Sequence, residues 1–366
     1  MSVSARPEIL GLKVYVAGKP IDELKRELGL TEVIKLASNE NPLGPSPRAV
    51  QAIVEAASTV NLYPLQDHYY LRQKLSQRWN TDMEGIVAGS GLDEMIEFVG
   101  TAFIGPGDEA IVPDPSFSSY DHAVEKMAGH LIKVPLKDFT VDVRAMLAAV
   151  TPKTKLVFVC NPNNPTGTTI SATEVDYLLD HLPPGVVTVL DEAYAEFVDR
   201  ADYPQSINYV KAGRPVIVQR TFSKVYGLAG LRVGYVITTP QIAGYLQRVR
   251  GPFNVSSVAQ AAAVAALDDE EHVRQTVANN RAGKEYLYRE FERLGLPYVP
   301  TQTNFLIVDV KGPSTPVYQA LLRQGVIVRQ GTFFGLPTML RVSIGTMEEN
   351  RRFIQALEKV LPGNAS

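Results

Sequence analysis

A chain of 366 residues, 45% of them hydrophobic, can bury a large core and exceeds a typical single domain, so one large and one smaller domain are expected. Lys+Arg total 36 against Asp+Glu 39, a formal net charge of −3 with no basic block or arm, which argues against nucleic-acid binding and for small-molecule chemistry. Cys160 is the only cysteine, the scattered histidines form no H-E-x-x-H pair, and neither a signal-like apolar start nor a run of about 18 apolar residues is present; these features predict a cytoplasmic chain with no disulfide, metal site or membrane span.

Residues 1–48 are rich in Pro and Gly and hold one clear strand, Val33–Ala37, as in an arm that crosses onto another domain or subunit. Ser46-Pro47 opens a helix over 48–58, Asn61–Pro64 breaks it, and 68–79 is again amphipathic. Strands are predicted at 86–88, 109–112, 131–134, 155–159, 186–190, 215–219 and 232–237. Helices are predicted near 91–103, 116–128, 142–149, 171–181 and 240–249. This alternation predicts an α/β fold with a mostly parallel seven-stranded sheet sandwiched by helices, whose ligands sit at the carboxyl ends of the strands. Helices over 256–267 and 269–293 follow, the second expected to link the two domains, then strands at 304–309, 326–329 and 339–343 with helices near 315–323 and 346–360. The expected division is an arm over 1–48 that joins the small domain, a large domain over 49–285, and a small α+β domain over 286–366.

The segment Arg220–Tyr235 joins two of these strands and sets Lys224 among Thr221, Ser223, small residues and Arg232. Read alone it is either a solvated loop lysine or a Schiff-base lysine whose neighbours hold a phosphate, the chemistry of pyridoxal 5′-phosphate. Asp191 ends the apolar strand Val186–Leu190. It is either the N-cap of a following helix or a buried carboxylate matched to a protonated ring nitrogen. The turn Cys160–Gly167 presents Asn164 at the same sheet edge, where Asn164 and Tyr194 can both donate to a phenolate oxygen; Asn, Pro and Gly are also ordinary turn residues. Gly89-Ser90-Gly91-Leu92-Asp93 lies between a strand and a helix as an anion seat, and lacks the third glycine of a dinucleotide fingerprint. Phe117 can stack on a flat ring or belong to the core, and Arg329 and Arg341 are surface ion-pair formers or anion binders.

Taken together, N-P-x-N-P-T-G, D-E-A-Y and T-F-S-K-x-x-G-L-A-G-L-R-x-G-Y, with the N-terminal signatures Tyr15–Ile21 and Ser38–Pro42, resemble the fold type I aminotransferases that depend on pyridoxal 5′-phosphate. Among these the chain is most similar to the histidinol-phosphate aminotransferase family, from about residue 10 to 360. The resemblance implies that Lys224 forms the internal aldimine, Asp191 pairs with the pyridine nitrogen, and Asn164 and Tyr194 bond the 3′-oxygen. It implies a phosphate held at the Gly91 turn by backbone groups of Leu92 and Asp93, by Thr221, Ser223 and Arg232, and by the partner subunit's Tyr63 in a homodimer. It further implies ring stacking on Phe117, where the family commonly has Tyr, and substrate contacts from Tyr15, Asn41, Arg329 and Arg341. The activity implied is ping-pong transfer between histidinol phosphate and 2-oxoglutarate. An aromatic amino-acid aminotransferase shares every one of these motifs, while a related decarboxylase or a non-catalytic regulatory module shares part of them.

Overall fold

The structure, a computed structural model, describes residues 3–12, 14 and 18–361. All seven strands expected in the first part of the chain fall into one sheet. They are β1 (Ile86–Gly89), β2 (Glu109–Asp114), β3 (His130–Pro135), β4 (Thr154–Cys160), β5 (Val187–Asp191), β6 (Val216–Thr221) and β7 (Gly234–Ile237), in the spatial order β1-β7-β6-β5-β4-β2-β3. Only β7 runs against its neighbours, pairing antiparallel with both β1 and β6. The central strands β4, β5 and β6 are almost wholly buried, as their Val- and Leu-rich sequences require when helices cover both faces. The parallel register aligns their carboxyl ends, with Cys160 opposite Asp191 and Asp191 opposite Gln219. Because β7 is reversed, its first residue, Gly234, meets both Thr221 and Gly89 at that same edge.

Helix boundaries follow local chemistry. Ser46 accepts from the Ala49 amide at 3.1 Å with Pro47 in the first turn. Ser171 and Glu174 close a capping box. The helix expected over 116–128 is only Ser119–Glu125: two prolines precede it, and Ala128, at φ 60°, turns the chain out of helical geometry. The arm holds more structure than a single strand. Ile21–Leu28 is a helix between Pro20 and a left-handed Gly29, with Asp22 and Glu23 in its first turn, Lys25 and Arg26 in its last, and Leu24 buried. The Pro-to-Gly spacing and charge order were legible, but the density of turn residues masked them.

The strand expected over Val33–Ala37 shortens to Ile34–Lys35, which pairs parallel with Val326–Ile327. The strand expected over 326–329 is two. Arg329–Gln330 turns away to pair antiparallel with Met339–Ser343, which also pairs with Phe305–Asp309. Tyr298–Val299 adds a fourth strand to that sheet, and Ile207–Lys211 is a short additional helix. One hydrophobic cluster lies around the seven-stranded sheet, and a second gathers Leu36, Leu287, Phe291 and residues from 296 to 361. The 24-residue helix Glu270–Arg293 touches both, with Val273 and Val277 against the first and Leu287 and Phe291 in the second. Among the described residues no helix is long and apolar enough to cross a membrane.

The arm is seated on the loop that follows Lys224. Asn41 donates to the Val225 carbonyl at 2.9 Å and to Thr276 Oγ1 at 3.0 Å, and His272 Nε2 lies 3.1 Å from the Gly44 carbonyl oxygen. Gly227 has φ 68°, and a Cβ there would stand 2.6 Å from the Gly44 carbonyl carbon and 3.0 Å from the Pro45 nitrogen. Gly227→Ala is therefore expected to cost about 1–3 kcal/mol for the backbone conformation alone, plus the displacement of the arm. An unchanged denaturation midpoint in that variant would show that the arm is not held this closely.

Candidate active site

A cavity of about 280 Å³ opens where the carboxyl ends of β4, β5 and β6 meet the arm and the second sheet. The twofold alternation of strands selects what enters it. Asp191 faces the cavity, whereas its neighbour Glu192 faces the opposite side and binds Arg220 at 2.5 Å, with Trp79 under that guanidinium at 4.6 Å. Thr221 in turn faces the cavity, one residue after Arg220.

Asp191 is 3% exposed. Its Oδ1 accepts from the Ala193 amide at 3.1 Å and its Oδ2 from the Tyr120 hydroxyl at 2.7 Å. Burial pushes the carboxyl up to about 6 against the restraint of these two donors, and the charges of Asp93 and Glu192 add to the rise; among the described residues it forms hydrogen bonds and no ion pair. Lys224 lines the same cavity, 3.4 Å from the Ser38 carbonyl oxygen and 5.6 Å from the Tyr194 ring centroid. Burial, and then the positive charge of Arg341, bring its amine down to about 8, within reach of the neutral form at physiological pH.

Asn164 and Tyr194 stand side by side, with Nδ2 and Oη 3.5 Å apart. Asn39 also donates to Tyr194 Oη, at 3.1 Å, while its backbone and side chain bond Ser343. Arg341 donates to Asn164 Oδ1 at 2.6 Å and to the Ala37 carbonyl at 2.8 Å, between the rings of Phe305 and Phe334. Arg329 also lines the cavity, over the Phe333 ring at 4.0 Å.

At the other end, Gly91 (φ 84°) precedes the helix Leu92–Phe103, and no side chain caps its first amides. With φ 84° and ψ 177°, Gly91 holds a backbone conformation that favours glycine, and the Arg232 guanidinium packs against it. Arg232 Nη2 lies 3.4 Å from Asp93 Oδ2, and Leu92, Asp93, Thr221, Ser223 and Arg232 all line this end. Thr221 Oγ1 accepts from the Ser223 amide at 3.0 Å. Uncapped helix amides, two hydroxyls and a guanidinium form an anion seat. Phe117 lines the cavity edge-on to Tyr120, at 5.7 Å and 83°.

Two of the residues singled out from sequence lie elsewhere. Asn41 spends its amide on Val225 and Thr276 and does not line the cavity. Tyr63 is 83% exposed, stacked on Phe253 at 4.7 Å, and does not line this chain's cavity. Tyr15 lies outside the described residues. Sequence reasoning missed Asn39, Glu40 and Tyr120. Asn39 and Glu40 stand inside the Ser38–Pro42 signature, and Tyr120 lies three residues after Phe117, so the spacing was available even though the contact was not.

The sequence profile described as "Aminotransferase class I and II" matches residues 31–357. A Moorella thermoacetica protein named histidinol-phosphate aminotransferase is 54% identical over 357 residues, covering 97% of this chain and 92% of its own. A Carboxydothermus hydrogenoformans protein named histidinol-phosphate aminotransferase 2 is 48% identical over 357 residues, covering 97% and 99%. The crystal structure of histidinol-phosphate aminotransferase from Sinorhizobium meliloti in complex with pyridoxal-5′-phosphate superposes with a TM-score of 0.92 at 28% identity, covering 100% of this chain and 99% of that one.

The burial of Asp191 sets a pH dependence. Its folded value, about 6, stands above the unfolded 3.8, so the stability it contributes is complete below about 4 and is lost as pH rises through 6. Asp191→Asn removes this loss. The cofactor-free variant is expected to gain on the cofactor-free parent across that window, by up to about 3 kcal/mol at neutral pH. Denaturant unfolding of both proteins between pH 4 and 7 reads the difference, and parallel curves would contradict an uncompensated carboxylate.

Proposed function

Because the chain belongs to the class I and II aminotransferases, we propose that it transfers the amino group of histidinol phosphate to 2-oxoglutarate, with pyridoxal 5′-phosphate held by the cavity described above. The observation that carries this reading is the coexistence in one cavity of an amine brought down to about 8, Lys224, a buried carboxylate with no ion-pair partner among the described residues, Asp191, and an anion seat between them and the helix at Leu92. The names of the relatives at 54% and 48% identity support the choice of amino donor.

The residues fit the cofactor. Asp191 has two donors and lacks the positive charge that a protonated ring nitrogen would bring. The amides of Leu92 and Asp93, with Thr221, Ser223 and Arg232, would take its phosphate; Asn164 and Tyr194 would bond its phenolic oxygen, and Phe117 would cover its ring. When bound, pyridoxal 5′-phosphate supplies an aldehyde for amine exchange and a cationic ring that draws electrons from the donor's Cα–H bond. Lys224 would hold that aldehyde in the resting enzyme. Its freed Nζ, whose neutral form burial favours, would act as the base that accepts the donor's Cα proton and as the acid that passes it on to the cofactor's aldehyde carbon. Arg329 and Arg341 would grip the anionic end of each substrate in turn, the phosphate of one and the carboxylate of the other.

The same proposal includes a homodimer, supported by Tyr63, which is exposed, does not line its own chain's cavity, and is flanked in the sequence by exposed Val60, Leu62 and Leu65. In the dimer, the partner subunit's Tyr63 would reach the phosphate. The division into an arm over 1–48, a cofactor-binding domain over 49–285 and a small domain over 286–366 is supported by the two hydrophobic clusters. A cytoplasmic setting is supported by the single, buried, unpaired Cys160.

The reading is tested by mixing cofactor-loaded protein with histidinol phosphate, phenylalanine or tyrosine and following loss of the cofactor's visible absorption. Histidinol phosphate is expected to be fastest; a much faster conversion by phenylalanine would reassign the enzyme to aromatic amino acids. Lys224→Ala is expected to bind the cofactor and to lose at least about 10³-fold in turnover. Full activity in that variant would remove Lys224 from the chemistry.

A further inference from the structure

We propose that Tyr120 is a positioning residue for the transamination: by donating its phenolic proton to Asp191 Oδ2, it keeps the proton shared by that carboxylate and the cofactor's ring on the ring nitrogen. The inference rests on the cofactor reading above and assigns to Tyr120 a task that the sequence motifs leave unfilled.

Tyr120 is fully buried in the helix Ser119–Glu125, and its hydroxyl lies 2.7 Å from Asp191 Oδ2. The ring cannot easily swing away. Phe158 of β4 stacks on it at 4.7 Å and 19°, and Phe117 meets it edge-on at 5.7 Å and 83°. The aromatic that lines the cavity and the phenol that bonds Asp191 are thus one packed unit. Burial and the adjacent carboxylate drive the phenol's ionisation well above its usual range, so it stays a proton donor at working pH.

Asp191 has two protein donors, and the other is the Ala193 backbone amide at 3.1 Å. A main-chain donor cannot be varied by side-chain choice, which leaves Tyr120 as the side-chain donor that offsets the rise burial imposes on the carboxylate. A donor to the charged form stabilises that form, and an O–H···O⁻ bond at this distance is charge-assisted. Without it, Asp191 becomes more basic. The shared proton then moves toward the carboxyl, the ring loses its positive charge, and the pull on the donor's Cα–H bond weakens. Tyr120 acts through Asp191 and does not itself line the cavity.

The test uses the holoenzyme loaded with cofactor carrying nitrogen-15 in its ring. Tyr120→Phe keeps the stacked ring and removes only the hydroxyl. The ring-nitrogen resonance is expected to be that of a protonated nitrogen in the parent and to move toward the unprotonated position in the variant. Loss of one charge-assisted bond should lower kcat about tenfold or more while KM changes less than about twofold. A merely structural role would lower the melting temperature and leave the resonance in place. Site-specific 3,5-difluorotyrosine at position 120, a stronger donor with nearly the same shape, supplies the opposite sign: the nitrogen should stay protonated to higher pH than in the parent. Should the phenylalanine variant fail to fold, the fluorinated protein decides alone, and an unshifted titration there overturns the proposal. An unchanged resonance and kcat in a folded Tyr120→Phe protein does the same. If the parent takes up no cofactor and shows no bound resonance, it is the cofactor reading that falls.

Discussion

The active edge of this molecule depends on one costly arrangement: a carboxylate held almost fully out of water with hydrogen bonds but, among the described residues, no ion-pair partner. Asp191 ends a strand whose residues are all buried, so its charge cannot be solvated. Two donors restrain it, yet its proton affinity stays raised, to about 6. Such a group stores a demand for positive charge at one point in space. The cavity built around it makes sense as the answer to that demand, because a cationic heteroaromatic ring returns the electrostatic energy that burial removed.

The sheet makes the arrangement possible. Parallel β4, β5 and β6 bring Cys160, Asp191 and Thr221 to one edge, and the reversed β7 adds Gly234 opposite Thr221 and Gly89. The side-chain alternation then sorts charges. Asp191 and Thr221 point into the cavity, while Glu192 and Arg220 neutralise each other behind it. Neighbouring acidic residues in one motif therefore serve unrelated ends, one for chemistry and one for cohesion.

Lys224 depends on the same desolvation with the opposite sign. Removing water from a carboxylate makes it hold a proton, whereas removing water from an amine makes it release one. Burial at a single cavity thereby readies both groups, and Arg341 adds to the effect on Lys224 by proximity. Asn39 and Arg341 extend the network from Tyr194 and Asn164 to Ser343 and Ala37, so the cavity is closed by segments far apart in the chain.

The order of strands and helices was legible because apolar runs of strand length alternate with segments of helical period. Lys224, Asp191, Asn164 and the glycine turn at Gly91 were legible because each stands at or within a few residues after a strand end, where a polar residue after a buried run needs a reason. The long-range decisions were not. Sequence could not say that the arm strand at Ile34 pairs with Val326, that the run through Arg329 breaks in two, or that Asn41 turns to Val225 and Thr276 instead of the cavity. Nor could it show Tyr120 reaching Asp191 across 71 residues. Local pattern is set by the chain's own period and turn chemistry. Contacts between distant segments are set by how whole elements pack, and only the assembled fold decides which side chain satisfies a buried charge.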